Sequence, residues 1–215
     1  DRFKYGYGLT PAIADLVFVT YTPDLLITVD NGISSHAGVE QAQAHGMQVI
    51  ITDHHLTTKA TPKAEAVVNP NQLGCDFPSK ALAGVGVAFY LLANLSSQRA
   101  KQHKSTARMS HYLDLVALGT YADVASLDYN NRILVDNGLK RIQTGQCRAG
   151  ILAILDIAGR DPTQLQAQDL GFVIGPRINA AGRMDTMDIG IECLLAEDME
   201  TAYPLARQLN DLNLE

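Results

Sequence analysis

Two short β-branched runs, separated by one helix-length segment, constrain this chain more than any other feature. Leu25-Leu26-Ile27-Thr28-Val29 and Met47 to Thr52 (Val49-Ile50-Ile51-Thr52 at its end) have the length and side-chain type of buried parallel strands. Between them, Asn31-Gly32 marks a turn and Ser34 or Ser35 can cap a helix. That helix runs to about His45, where Gly46 suits the position after its end. Strand, helix, strand within thirty residues is a βαβ unit, and its crossover should be right-handed. A helix from about Thr10 to Thr20, opened by Thr10-Pro11, precedes it, and a third short strand, Ala66-Val67-Val68-Asn69, follows and is stopped by Pro70. Residues 70–83 read as loop and 84–95 as a buried helix. Residues 96–106 read as a solvated linker or exposed helix end. Helical patterns then recur over about 111–119, 130–144, 148–158, 163–174 and 188–213. The expected fold class is α/β, a parallel sheet with helices on both faces, followed by an α-rich segment.

Both main strands end on an acid. Asp30 closes the first, and Asp53-His54-His55 closes the second. Ligands of open α/β sheets bind just past the carboxyl ends of the strands. One or two carboxylates and two imidazoles at that edge are metal ligands of the hard and borderline kind. The plainer readings are an Asp30 that starts a turn and histidines that are merely exposed. Asp123 follows the apolar segment Leu113–Thr120 and is either a third acid of the site or a cap for the segment around Asp128. Gly175-Pro176-Arg177-Ile178-Asn179-Ala180-Ala181-Gly182-Arg183 brackets small residues with two arginines. It is either a phosphate-contacting run or a tight connection between helices. Gly84-Val85-Gly86 opens a helix and is read as close packing more than as a phosphate cradle.

Bulk properties narrow the class. Of 215 residues, 47% are hydrophobic and 19% charged, which suits a folded soluble chain and not a disordered one. A net charge of −6 argues against holding nucleic acid by bulk electrostatics, although carboxylates gathered for metal would contribute to that sign. Three cysteines, Cys75, Cys147 and Cys193, match no zinc spacing and fit a reducing cytoplasm. No run is long enough to span a membrane. The sequence carries no nucleophile elbow, Walker loop or dinucleotide fingerprint. The opening Asp1-Arg2-Phe3-Lys4 and the closing Leu214-Glu215 read as the ends of a piece of a longer protein.

Taken in order, Val29-Asp30-Asn31-Gly32-Ile33-Ser34, Thr52-Asp53-His54-His55 and Gly119-Thr120-Tyr121-Ala122-Asp123-Val124 resemble motifs two, three and four of the DHH phosphoesterase superfamily. Gly6-Tyr7-Gly8-Leu9 and the run from Gly175 to Arg183 narrow the resemblance to the RecJ family of single-strand-specific DNA exonucleases. That resemblance implies 5′-to-3′ hydrolysis of single-stranded DNA with Mn²⁺ or Mg²⁺, in a cytoplasmic protein of recombination and repair. It implies single-stranded DNA as substrate, and a single-strand-binding protein and a helicase as partners. By position, Asp30 would bridge two metals, His54 and Asp123 would complete one metal site, His55 would face the substrate phosphate and Asp53 would support the histidines. Arg2 and Arg183, and more weakly Arg177, would hold DNA phosphates. The family's first motif, an Asp-x-Asp pair on an opening strand, would lie upstream of Asp1, and a partner domain would follow the last helix. The expected organisation is a phosphoesterase core over 1–145, an α-rich end of the core over 146–198 and the start of a connecting helix over 199–215. The chain alone would then be inactive. Alternatives are a DHH phosphoesterase of short oligonucleotides, cyclic dinucleotides or pyrophosphate, and a non-catalytic single-strand-binding module.

Overall fold

The computed structural model describes residues 5–57, 60–182 and 187–214. Packing divides the chain into two compact units, residues 1–106 and 107–215.

The first unit opens with helix α1 (Pro11–Tyr21). Thr10 caps it: its Oγ1 accepts the Ile13 amide at 3.3 Å, and Pro11 stands at the start of the helix, where no N–H is missed. Strands β1 (Leu25–Val29), β2 (Gln48–Thr52) and β3 (Ala66–Val68) pair in parallel in that order, with α2 (His36–Ala44) crossing from β1 to β2. The register sets Val29 opposite Thr52 and Thr52 opposite Val68, so all three strands end at one edge. Ala14 of α1, Val39 and Ala42 of α2, and Met47, Val49 and Ile51 around β2 share one core. Helix α3 (Gly84–Lys101) lies against β1 and β2, and its last residues are the exposed helix end, one of the two readings of residues 96–106.

One expectation changes. β1 is not buried throughout: Leu25, Ile27 and Val29 are exposed while Thr28 between them is buried. Successive side chains of a strand point to opposite faces, so the three exposed residues lie on one face of β1, and among the described residues that face is left uncovered.

The second unit is helical: α4 (Leu113–Ala122), α5 (Tyr129–Gln143), α6 (Ala149–Ile157), α7 (Gly175–Ala181), α8 (Asp188–Leu195) and α9 (Met199–Leu214). Ile151, Ile154 and Leu155 of α6 are fully buried with Leu170, Ile174 and Leu209. The sequence-based limits at 145 and 198 follow motifs, whereas the packing division falls at 106 because α4 and α5 pack on each other and share the core of α6. The run from Gly175 is not a connection between helices. It is itself helical, entered through a π turn at Leu170–Ile174. Pro176 has no N–H for the carbonyl four residues back, and the wider turn absorbs that missing bond. No helix among the described residues is long and apolar enough to cross a membrane.

Candidate metal centre

The ends of β1 and β2 are locked together before any site residue is reached. Thr52 Oγ1 donates to the Thr28 carbonyl at 2.8 Å, and the Asp30 amide donates to the Thr52 carbonyl at 3.0 Å. Asp30 itself adopts a left-handed backbone, φ 64°, which turns the chain sharply at the strand end. Gly32, at φ 115°, continues the turn. A Cβ there would stand 2.6 Å from Thr28 Oγ1, so this position admits only glycine.

Asp53 leaves β2 beside β3, its amide donating to the Val68 carbonyl at 3.0 Å. Its side chain is 1% exposed and entirely engaged. Oδ2 accepts the Ile33 amide at 2.9 Å. Oδ1 accepts the amides of His54 at 2.7 Å and His55 at 3.2 Å, and lies 2.6 Å from His55 Nδ1. Burial pushes this carboxyl up, but the bonds from Ile33, the His55 ring and the two histidine amides outweigh it and hold the group below its usual range.

His54 Nε2 lies 2.9 Å from Asp30 Oδ1. The His54 side chain is 15% exposed and that of Asp30 54%, so the pair opens to solvent from the carboxylate side. The rings of His54 and His55 are 4.5 Å apart. Asp30, His54 and His55 each offer one ligand atom, and the three atoms lie within 4.8 Å of one another. A carboxylate oxygen and two imidazole nitrogens at that spacing fit a divalent ion bound at about 2.0–2.2 Å, with Mn²⁺ suited to the mixed set and Mg²⁺ to its oxygen part.

Asp123 is exposed in the second unit, at the C-cap of α4, and its amide donates to Gly119 O at 2.9 Å. Arg177 holds its own unit together: Nη1 donates to the Val173 carbonyl at 2.8 Å and Nε to Asn210 Oδ1 at 3.1 Å. Arg2 and Arg183 lie outside the described residues. Three residues at the centre had no site role in the sequence reading. The Ile33 amide, a backbone group, left no side-chain signal. Asn69 and Asn71, taken as strand end and loop, donate to the His55 carbonyl at 3.0 Å and the His54 carbonyl at 2.6 Å. Their signal was available: two amide side chains directly after a strand that ends at the same edge.

The model of the DHH family N-terminal domain matches residues 4–120, more than half of the chain and both strand ends of the centre. The chain belongs to the DHH family. It is 51% identical to the single-stranded-DNA-specific exonuclease RecJ of Dickeya dadantii over 99% of its own length, but spans only 38% of that relative. Its fold matches exonuclease RecJ bound to manganese with a TM-score of 0.83 and 35% identity, covering 99% of this chain and 52% of that one. It also matches RecJ of Thermus thermophilus in complex with Mg²⁺ with a TM-score of 0.65 and 34% identity, over 89% of this chain and 26% of that one. The chain therefore contains an α/β DHH domain and spans 38% of the Dickeya relative and 52% of the manganese-bound structure's chain.

Proposed function

We propose that this DHH chain is the core portion of a metal-dependent 5′-to-3′ exonuclease that hydrolyses phosphodiester bonds of single-stranded DNA in recombination and repair. The observation that carries the reading is the set of ligand atoms from Asp30, His54 and His55, gathered within 4.8 Å where parallel strands end. RecJ relatives, similar over nearly the whole chain, supply the substrate class.

Asp30 and His54 would hold Mn²⁺ or Mg²⁺, and Asp123 is proposed as a further ligand on the strength of its motif. When bound, two such ions supply an activated water and neutralise charge on the attacking and leaving oxygens of an in-line displacement. The protein's part is orientation. Asp53 accepts a hydrogen bond from His55 Nδ1–H, which leaves the Nε2 edge of that ring for the substrate phosphate. Arg2, Arg183 and Arg177 are proposed phosphate contacts. A single-strand-binding protein and a helicase are the proposed loading partners, and the proposed compartment is the cytoplasm.

The test is digestion of end-labelled single-stranded DNA by the full-length protein with Mn²⁺. Mononucleotides should be released from the 5′ end, and Asp30→Ala or His54→Ala should lower the rate by about a thousandfold or more. An active Asp30→Ala protein overturns the mechanism. Activity confined to short oligonucleotides, cyclic dinucleotides or pyrophosphate would move the protein to another branch of the family. Binding without hydrolysis would make it a single-strand-binding module.

A further inference from the structure

We infer that Asn69 and Asn71 are positioning residues of the metal centre, holding the backbones of His55 and His54 in place. This rests on the metal-site reading above and deepens it. Strand pairing ends at Asp53, whose amide is the last to bond to β3. Past that point the chain leaves the strand, and buried peptide groups of His54 and His55 are bonded by side chains.

Asp53 supplies the partner on the amide side, accepting from both histidine N–H groups. Asn69 and Asn71 supply it on the carbonyl side. Asn69, 1% exposed, donates its Nδ2 to the His55 carbonyl, and its Oδ1 accepts the Asn71 amide at 2.8 Å. Asn71 Nδ2 donates to the His54 carbonyl and also to that of Lys80 at 3.1 Å. Lys80 Nζ closes the loop by donating to the carbonyls of Pro70 and Cys75, both at 2.6 Å.

The two histidine peptides are thus gripped from both sides, by groups 14 to 17 residues away on the carbonyl side. A ring nitrogen lies several bonds from its backbone, so a small rotation of either peptide plane would move it by a large part of a metal–ligand bond length. The amide side chains do not touch the ligand atoms. They act by fixing where those atoms point, and outer partners of this kind typically carry a 10–100-fold effect on metal affinity.

The test is the Mn²⁺ dissociation constant of the full-length protein, read by electron paramagnetic resonance, alongside its thermal midpoint in EDTA. Asn71→Ala removes the donor to His54 at a half-buried position. Asn69→Asp keeps shape and the acceptor for the Asn71 amide but loses the donor to His55. Each should weaken Mn²⁺ by about tenfold or more, while Asp30→Ala should abolish binding. Wild-type Mn²⁺ affinity in Asn71→Ala would overturn the inference, whatever happens to the thermal midpoint, and Asn71→Ala decides if Asn69→Asp does not fold. Wild-type affinity in Asp30→Ala would instead overturn the metal site itself.

Discussion

Asp53 shows what a single side chain does at this centre. A nearly dry carboxylate would ordinarily resist ionisation, yet four donors converge on it and hold it below the usual carboxylate range. Its folded pKa is the depressed one, so the stability it contributes is fully present above the unfolded value and is lost as pH falls through the folded value. Asp53→Asn should therefore cost about 2 kcal/mol near pH 7, and the difference from wild type should shrink as pH is lowered through the carboxylate range. Urea unfolding at a series of pH values measures this, and a pH-independent difference would contradict it. The Asp-His-His tripeptide was legible in sequence because it follows a strand-like run and stands in order with the motifs around Asp30 and Asp123. The donor from Ile33 was not, since every residue but proline carries a backbone N–H.

Among elements, the start of α3 has a role that its glycines only hinted at. Gly84 packs directly on Asp30: a Cβ there would stand 2.3 Å from Oδ1. Close packing was one of two readings of Gly84-Val85-Gly86, and only the folded chain identifies the packed group as a candidate ligand. Helix propensity alone would favour alanine by about 1 kcal/mol. Gly84→Ala should nevertheless displace the carboxylate and weaken Mn²⁺ by about tenfold or more in titration of the folded protein. In the second unit, α4 presents Asp114, wholly buried, to Arg148: Nη1 lies 2.5 Å from Oδ1, and the Arg148 amide donates to Oδ2 at 3.0 Å. Burial first, and then this buried charge, push the nearby Cys147 thiol up to about 12. Asp114→Ala would strand the guanidinium and should cost about 3–5 kcal/mol in urea unfolding. Sequence gave no warning, because Asp114 sits within an apolar helix and its partner lies 34 residues on.

At the scale of the whole molecule, ligand linkage joins the site to the fold. An ion that binds the folded state alone adds about 2.7 kcal/mol at a hundred times its dissociation constant. Mn²⁺ should accordingly raise the thermal midpoint of the full-length protein and leave that of Asp30→Ala unmoved. The sequence by itself determined what depends on near neighbours: strand against helix, the turn after β1, an acid at the ends of β1 and β2 and membership of the DHH family. These follow from side-chain period, capping and turn residues that act over a few positions. The tertiary structure decided which atoms meet. The parallel register of Val29 with Thr52 brings Asp30 to His54, although 24 residues separate them in the chain. The return of β3 to the same edge sets Asn69 and Asn71 against the histidine carbonyls. No local pattern encodes such meetings, because they are settled by how strands pair and how the loops between them find partners for their peptide groups.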